Sequence, residues 1–343
     1  MFVFCIFIFE KARFITFFLY FCTMQIRKRK IVFIVNPISG TKSKDGLRLL
    51  IKQTIDTARY DCRIISTEYA GHASLIAREC VEDQTDICVS VGGDGTVNEV
   101  ARSLVHTPTA LGIIPCGSGN GLARHLCLPM DMQGALDIIN TGQTDRFDYG
   151  IINGHPFFCT CGMGFDAFVS LKFAESGKRG LTTYVENVLK EGLNYEADTY
   201  TVETDTGIHR HKAFLIACAN AAQYGNNAYI APGASMQDGL MDIIVMEPFN
   251  VIEASTIAVD LFAKTLDNNS HIKHYQAKCI HIQRQKPGAI HYDGDPVSMG
   301  TDIDVEIKPL GLLAVVNPKT VEDLALPNKM VDKISHAVDN IIK

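Results

Sequence analysis

Between Lys30 and Cys116 the sequence alternates short apolar runs with longer stretches of helical spacing. The apolar runs are KIVFIV, CRIISTEY, DICVSV and ALGIIPC, and an amphipathic stretch separates each run from the next. Strands that alternate with helices in this way pair in parallel, because the helices cover both faces of the sheet. The pattern predicts an N-terminal α/β domain with a parallel sheet over residues 27–148.

The pattern of predicted elements changes after residue 148. Strand-like stretches joined by turns follow one another, among them TYTVETDTG, LMDIIVMEP and TDIDVEIKP, and one long helical stretch, VIEASTIAVDLFAKTL, interrupts them. Strands that follow each other without intervening helices favour antiparallel pairing. We therefore expect a β-rich, sandwich-like C-terminal domain over residues 149–318 and a charged helical tail over residues 319–343.

Residues 1–26 are apolar and rich in Phe and Ile, but Glu10, Lys11 and Arg13 divide them into two halves. Neither half reaches the roughly 18–20 residues that span a bilayer, and no small-residue cleavage site follows. One interpretation is an extension that is not part of the fold. The other is an interfacial anchor, with the basic RKRK segment behind it on anionic lipid.

Composition narrows the classes of function. The chain has 343 residues, 47% of them hydrophobic, which is enough for two domains with separate cores. Its net charge is −6 and it has no long basic run, which argues against a nucleic-acid partner. The 11 cysteines show no paired or zinc-like spacing, so we expect reduced thiols and a cytoplasmic protein.

Four predicted loops follow the carboxyl ends of the predicted strands, where α/β sheets bind ligands. They are VNPISG, STEYAGH, GGDGT and PCGSGNG, and two of them are rich in glycine. Glycine lets backbone N–H groups approach phosphate oxygens, and a helix N-terminus adds a favourable dipole. The four loops together predict a phosphate-binding site, although any one of them alone is equally compatible with an ordinary turn.

Common nucleotide-binding motifs do not account for these loops. The sequence has neither a GxxxxGKS/T pattern nor a GxGxxG that opens a helix, and it lacks the HRD and DFG pair of protein kinases. A P-loop enzyme, a dinucleotide enzyme and a protein kinase are therefore disfavoured.

Six motifs occur together in a fixed order: NPISG, GGDGTVNEV, GSGNGLARHL, GMGFDA, APGASMQDGLMDI and YDGDPV. In this order and spacing the chain resembles the lipid-kinase superfamily of diacylglycerol kinases and sphingosine kinases over residues 30–318. The resemblance implies an ATP-dependent lipid kinase, with the nucleotide in the cleft between an α/β domain and a sandwich-like domain. It also implies Mg²⁺ and a lipid substrate at a membrane surface, hence peripheral membrane association, and we leave a homodimer open.

The resemblance implies a set of nucleotide-binding positions, with Glu99 near the ribose. They are Asn36, Pro37, Ser39, Gly40, Thr67, Gly92, Gly93, Asp94, Gly95, Thr96, Asn98, Glu99, Gly117, Ser118, Lys178 and Arg179. Lys178 and Arg179 are similar to a basic pair that touches phosphates in sphingosine kinases, and a solvated basic turn is the alternative interpretation.

The resemblance implies three catalytic carboxylates, Asp94, Asp293 and Asp295. We expect Asp94 to stand bare in an exposed glycine turn, free to act as a Mg²⁺ ligand or as the base. Asp295 occupies the position at which bacterial diacylglycerol kinases carry a Glu that accepts the hydroxyl proton, and it is one methylene shorter. Asp293 would be its partner in a metal and water network.

The motif APGASMQDGLMDI resembles a cation-binding loop of the family. In the family one Asp and backbone carbonyls hold a structural Mg²⁺, and the matching positions are Ser235, Asp238 and Leu240. A plain β-turn with Asp-Gly at its tip is the alternative interpretation.

Two positions bear on the acceptor. Gly121 stands where bacterial diacylglycerol kinases usually carry Asp, and GSGNG is closer to the sphingosine-kinase form, which favours a long-chain-base acceptor. An amine on such an acceptor would call for a carboxylate in the lipid pocket, and Asp166 is a candidate.

Two alternative functions stay open. The Asp-Gly-Asp departure is compatible with an inactive nucleotide- or lipid-binding regulator, and the GGDGT turn also occurs in NAD kinases. The motifs that follow it in the chain fit lipid kinases better than NAD kinases.

Overall fold

The structure, a computed structural model, describes residues 27–40, 46–176, 192 and 195–318. The predicted N-terminal extension over residues 1–26 and the predicted tail over residues 319–343 lie outside the described residues, as do Lys178 and Arg179.

The N-terminal half is an α/β layer, as the alternating sequence pattern predicts. Its parallel strands lie in the order β2-β1-β3-β4. The strands are β1 (Arg29–Val35), β2 (Tyr60–Ser66), β3 (Ile87–Gly92) and β4 (Ala110–Pro115). The helices are α1 (Leu47–Thr54), α2 (His72–Glu82), α3 (Asp94–Leu104), α4 (Gly121–His125) and α5 (Met132–Thr141).

The apolar run of β1 is continuous because both of its faces are covered. Val32 and Ile34 point to one side, where they share a core with residues of α2 and α3 such as Ile76 and Leu104. Residues of the opposite face, such as Phe33, share a second core with α1 and α5. Successive side chains of a strand alternate between the faces of the sheet, so one apolar strand supplies two cores.

The C-terminal half is a sandwich of two mostly antiparallel sheets around a third core, as predicted. Its strands are β5 (Thr144–Ile152), β6 (His155–Phe157), β7 (Thr160–Gly164), β8 (Asp198–Thr204), β9 (Gly207–Ala213), β10 (Leu215–Ala219), β11 (Gln223–Gly225), β12 (Ala228–Tyr229), β13 (Met241–Met246), β14 (Ile272–Ala277), β15 (Cys279–Arg284), β16 (Gly288–Tyr292), β17 (Asp295–Met299) and β18 (Asp302–Val315). Two longer helices accompany them, α6 (Phe165–Ser176) and α7 (Val251–Ala263).

The two halves share one sheet. The 14-residue strand β18 pairs antiparallel with β15 and β5, and its end pairs parallel with β4. The strand β5 crosses the boundary that the sequence predicts at residue 148. A 10-stranded sheet therefore runs from the α/β layer into the sandwich and joins the two halves.

Two further observations concern the chain as a whole. Every cysteine that the structure describes is free, and most are buried. Among the described residues, no helix is both long and apolar enough to cross a membrane.

Candidate active site

Three of the four predicted phosphate loops meet through their backbones. Gly40, after β1, has a φ of 70° and lies so close to Cys116 that a Cβ would overlap the Cys116 carbonyl oxygen. Gly93 and Gly117 pack in the same way, since a Cβ on Gly117 would stand 2.5 Å from the Cα of Gly93. Glycine alone permits these contacts, because a side chain would push the loops apart. The loops after β1, β3 and β4 therefore form one glycine-lined edge.

Asn36 ties the first of these loops to helix α3. Its Nδ2 donates to Oγ1 of Thr96 at 3.0 Å, and its Oδ1 accepts from the N–H of Ile38 at 3.1 Å. Thr96 is buried, whereas Pro37 and Ser118 are exposed. The accessible part of the edge is therefore the turn after Asn36 together with the Ser118 hydroxyl.

The loop after β2 joins the same edge through Glu99. Oε1 of Glu99 accepts the N–H of Gly71 at 2.9 Å. Thr67, directly after β2, donates its N–H to the carbonyl of Val35 at 2.8 Å and is buried. All four predicted loops are thus at one edge of the sheet, while a ribose contact by Glu99 stays a prediction.

Asp94 is neither bare nor exposed, so that expectation is wrong. Its Oδ1 accepts the N–H of Gly121 at 2.7 Å and its Oδ2 accepts the N–H of Asn120 at 2.8 Å. Burial raises the pKa of the Asp94 carboxyl, and these two backbone donors oppose the rise. Because both oxygens are engaged, Asp94 fixes the position of one glycine loop against the other.

Asn120 shapes the second glycine loop in turn, and the sequence analysis did not single it out. It adopts a left-handed φ of 54°, which Asn tolerates better than most residues. Its Oδ1 accepts the N–H of Gly117 and its Nδ2 donates to the carbonyl of the same residue, both at 2.9 Å. The side chain therefore closes the turn that carries Ser118.

Asn98 lies inside the protein, and a nucleotide contact by Asn98 stays a prediction. It is only 2% exposed. Its Nδ2 donates to the carbonyl of Pro156 at 3.1 Å and to Oδ2 of Asp293 at 2.9 Å. The buried amide joins α3 to the C-terminal half.

Asp293 is the acceptor at the centre of that junction. It receives hydrogen bonds from Asn98 and from the backbone N–H groups of Phe158, Cys159 and Thr160, at 2.9, 2.9, 2.7 and 3.2 Å. Burial raises the pKa of the Asp293 carboxyl to about 6 despite these donors. Both carboxylate oxygens of Asp293 thus accept hydrogen bonds from protein groups, and a place in a metal and water network stays a prediction.

Asp295 is the predicted carboxylate that the structure leaves accessible. It is exposed at the start of β17, and its two carboxylate oxygens would each stand 3.9 Å from a Cβ on Gly95, in the first turn of α3. Partial burial raises the pKa of the Asp295 carboxyl, and Glu99 adds to the rise. A carboxylate is thus held over the glycine edge.

The predicted cation loop is organised by hydrogen bonds within the protein. Oδ1 of Asp238 accepts the N–H of Leu240 at 2.9 Å, and Oγ of Ser235 accepts the N–H of Gln237 at 3.2 Å. The fully buried Asp148, which the sequence analysis missed, accepts the N–H of Gly239 at 2.8 Å. These contacts match the β-turn interpretation, and cation binding at Ser235, Asp238 and Leu240 stays a prediction.

Asp166 belongs to a second group of polar side chains, together with His291 and Tyr224. Its Oδ2 lies 2.7 Å from Nε2 of His291 and accepts a hydrogen bond from the hydroxyl of Tyr224 at 2.9 Å. Nothing in the local sequence predicts this group, because its members come from α6, β16 and β11, which are distant along the chain.

Comparison with known protein families accounts for both halves of the fold. Residues 30–152 match the diacylglycerol kinase catalytic domain, and residues 159–317 match the YegS C-terminal NAD kinase beta sandwich-like domain. The two matches meet within the stretch that joins β5 to β7, close to the boundary between the two predicted domains.

Similar proteins extend the comparison. The diacylglycerol kinase of Staphylococcus epidermidis is 28% identical over 279 residues, which cover 79% of this chain and 86% of that protein. The diacylglycerol kinase of Staphylococcus aureus is 28% identical over 278 residues, with 79% and 87% coverage. A solved structure from Bacillus anthracis superimposes with a TM-score of 0.70 at 26% identity, over 85% of this chain and 98% of that one.

Three observations support the same family: the order of the motifs, the sheet that the two halves share, and the matches of both halves to known domains. The chain therefore belongs to the diacylglycerol kinase family of lipid kinases.

Proposed function

We propose that the protein transfers the γ-phosphoryl group of ATP to the hydroxyl of a diacylglycerol or a sphingoid long-chain base. The observation that carries this proposal is the position of Asp295 over the first turn of α3, beside the edge where three glycine loops meet. Phosphoryl transfer needs positioning, charge neutralisation and an acceptor for the hydroxyl proton more than it needs covalent help from the protein. The site offers each of these.

The glycine edge supplies the positioning. Backbone N–H groups at close-packed glycines can approach phosphate oxygens without steric hindrance, and the N-terminus of α3 adds a favourable dipole. The packing leaves no room for side chains at Gly40, Gly93 and Gly117. The edge therefore presents backbone groups to a ligand. The Ser118 hydroxyl is exposed beside it.

The proton acceptor is Asp295. Partial burial raises the pKa of the Asp295 carboxyl, which moves it towards the operating pH at which a general base works best. Asp94 and Asp293 act through the backbone they hold: Asp94 fixes the glycine loops, and Asp293 fixes the turn that precedes Asp295.

The residues present are compatible with Mg²⁺ brought in by ATP. In the part of the chain that the structure describes, no group of three or more His, Cys, Asp or Glu side chains could hold a metal ion. Mg²⁺ commonly uses only one or two carboxylates and takes its other ligands from phosphates and water, so it does not need such a group. When bound with ATP, the ion would neutralise charge on the transferred group.

A lipid acceptor places the reaction at a membrane surface. We propose a cytoplasmic enzyme that associates peripherally with the bilayer and takes its substrate from it, with no nucleic-acid partner. The acidic net charge of −6 supports the last point.

Lipid phosphorylation can be tested with labelled ATP and thin-layer chromatography. The acceptor panel contains a diacylglycerol, sphinganine, ceramide and undecaprenol, each in mixed micelles, with NAD as a further acceptor. The proposal predicts label in diacylglycerol or in sphinganine. Label in NADP would instead show an NAD kinase, and the absence of any labelled acceptor would point to an inactive regulator.

A further inference from the structure

The carboxylate of Asp166 already has a basic side chain of the protein beside it. Nε2 of His291 lies 2.7 Å from Oδ2 of Asp166, and the His291 side chain is 2% exposed. Among the residues that the structure describes, neither ring nitrogen of His291 has an aligned hydrogen-bond partner, so the distance to Asp166 is its closest polar approach. The hydroxyl of Tyr224 donates to the same carboxylate oxygen at 2.9 Å.

The surrounding backbone leaves room for this pair. Gly162, on β7, lies directly beneath it, and a Cβ there would overlap Oδ2 of Asp166 and stand 2.9 Å from Nε2 of His291. Any residue other than glycine would therefore force the two side chains to shift. The ion pair depends on the absence of a side chain from the strand below it.

The pair lies on the acceptor side of the site. His291 is at the end of β16, which leads through a short turn to Asp295 at the start of β17. Tyr224 reaches the other side of the site, because its carbonyl oxygen would stand 3.2 Å from a Cβ on Gly121 in the second glycine loop. The pair therefore lies between the turn that carries Asp295, the proposed base, and the second glycine loop.

The surroundings of His291 favour its charged form. Burial lowers the pKa of the His291 imidazole, but Asp166, Asp293 and Asp295 together outweigh burial and raise it. An imidazolium next to Asp166 cancels the negative field that a lipid ammonium would seek. It also repels a second cation at the same place.

We propose that His291 is a specificity-determining residue: by occupying Asp166 it makes the site select a lipid with an uncharged headgroup over one that carries an amine. This inference rests on the proposed lipid-kinase function, and it narrows the two acceptor classes to the neutral one. It also departs from the expectation that Asp166 would receive the amine of a long-chain base.

The test compares a diacylglycerol with sphinganine as acceptors, in micelles of the same composition. For the wild-type protein we expect kcat/KM to favour the diacylglycerol by about 10-fold or more, which corresponds to about 1.4 kcal/mol. In His291→Asn the side chain stays polar but loses its charge, so Asp166 becomes available to an ammonium. The ratio should then shift by about 10-fold towards sphinganine.

Two further variants show whether the shift comes from charge. In the double variant His291→Asn with Asp166→Asn no carboxylate remains, and the shift should disappear. Tyr224→Phe removes one hydrogen bond from Asp166 without changing the charge of the pair, and it should leave the ratio within about threefold of the wild-type value. Circular dichroism and thermal unfolding establish that each variant is folded.

The wild-type ratio alone can overturn the inference, since a preference for sphinganine would show that Asp166 is open to amines. A His291→Asn ratio equal to that of the wild type would overturn it as well. If the wild type phosphorylates neither lipid, the proposed function fails. In that case the role of His291 is tested by binding, measured as the rise in melting temperature that dioctanoylglycerol or sphinganine produces. A larger rise with sphinganine than with dioctanoylglycerol for the wild type would contradict the inference.

Discussion

Asp94 and Gly121 are joined by a hydrogen bond of 2.7 Å, in which the Gly121 N–H donates to Oδ1 of the carboxylate. Asn120 donates to the other oxygen. The first glycine turn therefore holds the second through its only charged side chain. Under the proposed function, ATP phosphates that contact both turns would depend on this link for their alignment, although Asp94 itself need not contact them.

The substitution Asp94→Asn should lower both stability and turnover. Asn has a single acceptor oxygen, so one backbone N–H would face the amide group of Asn instead of an oxygen. We expect a loss of about 1–3 kcal/mol of stability. A shift of the loops by about 1 Å should reduce turnover by about 10²-fold. Thermal unfolding and steady-state kinetics measure the two effects.

Asp131→Asn is the matched control for this change. Asp131 caps helix α5 by accepting the N–H of Gly134 at 2.8 Å, and it is exposed. Asn caps helices about as well as Asp, so stability and turnover should both stay close to wild type. An Asp94→Asn protein with unchanged stability and turnover would show that the link between the glycine turns is dispensable.

Gly117→Ala should separate the glycine loops by steric overlap. The new Cβ would stand 2.5 Å from the Cα of Gly93 and 2.9 Å from Oδ1 of Asn120. Overpacking of this kind costs about 1–3 kcal/mol, and we expect the KM for ATP to rise because phosphate contacts are lost. In Gly300→Ala the added Cβ meets no atom within 4 Å, so this control should behave as wild type. Equal KM values for both variants would contradict the backbone cradle.

Asp293 gives stability a specific pH dependence. Its folded-state pKa of about 6 lies above the usual value of 3.8. The folded protein therefore keeps a proton that the unfolded chain releases. The contribution of Asp293 is fully present below the unfolded pKa and is lost as the pH rises through about 6, by about 3 kcal/mol in total.

Comparison with Asp293→Asn isolates this effect, because Asn does not titrate and tolerates the left-handed φ of 48°. Denaturant unfolding of both proteins at about pH 5 and about pH 7.5 gives the difference in stability. Relative to the variant, the wild type should lose about 1 kcal/mol between these two values. A relative gain, or no change, would show that the folded pKa of Asp293 is not raised.

The fold follows from the sequence where local signals and long-range packing agree. The apolar run of β1 and the helical spacing of α2 and α3 predict the parallel layer directly. A strand that is buried on both faces is apolar throughout, whereas a helix that is buried on one face has apolar residues at helical spacing. Local sequence patterns do not predict the path of β18. Its 14 residues read as two short strands, and only pairing with β4, β5 and β15 shows that it joins both halves.

The candidate site, like the fold, could be predicted only in part from the sequence. The glycine turns and Asp295 are adjacent to recognisable motifs, so their place at one edge could be predicted. The hydrogen-bond partners of each carboxylate could not be predicted. Asp94, Asp293 and Asp295 all stand next to glycine in similar motifs, and only the structure shows which of their oxygens accept backbone N–H groups. His291 and Asp166 are 2.7 Å apart but lie on different elements, so no sequence pattern relates them.

Asp295→Ala should remove the base while the rest of the site stays intact. We expect turnover to fall by about 10²–10⁴-fold, with little change in ATP affinity, because the side chain is exposed and lies outside the packed glycine edge. Asp295→Glu keeps the carboxylate and extends its reach, so it should stay active. Asp205→Ala, in the exposed turn between β8 and β9, is the control and should match wild type. An Asp295→Ala enzyme within about threefold of wild type would remove Asp295 from the chemistry.

Transfer of label from ATP to lipid tests the central claim most directly. The purified protein is incubated with micellar acceptor and with ATP labelled either at the γ-phosphate or at the α-phosphate, and the extracted lipid is counted. Phosphoryl transfer predicts labelled lipid from γ-labelled ATP alone, and at least about 10²-fold less of it with Asp295→Ala. Lipid that carries no label from γ-labelled ATP, with ATP still bound by the protein, would contradict the account.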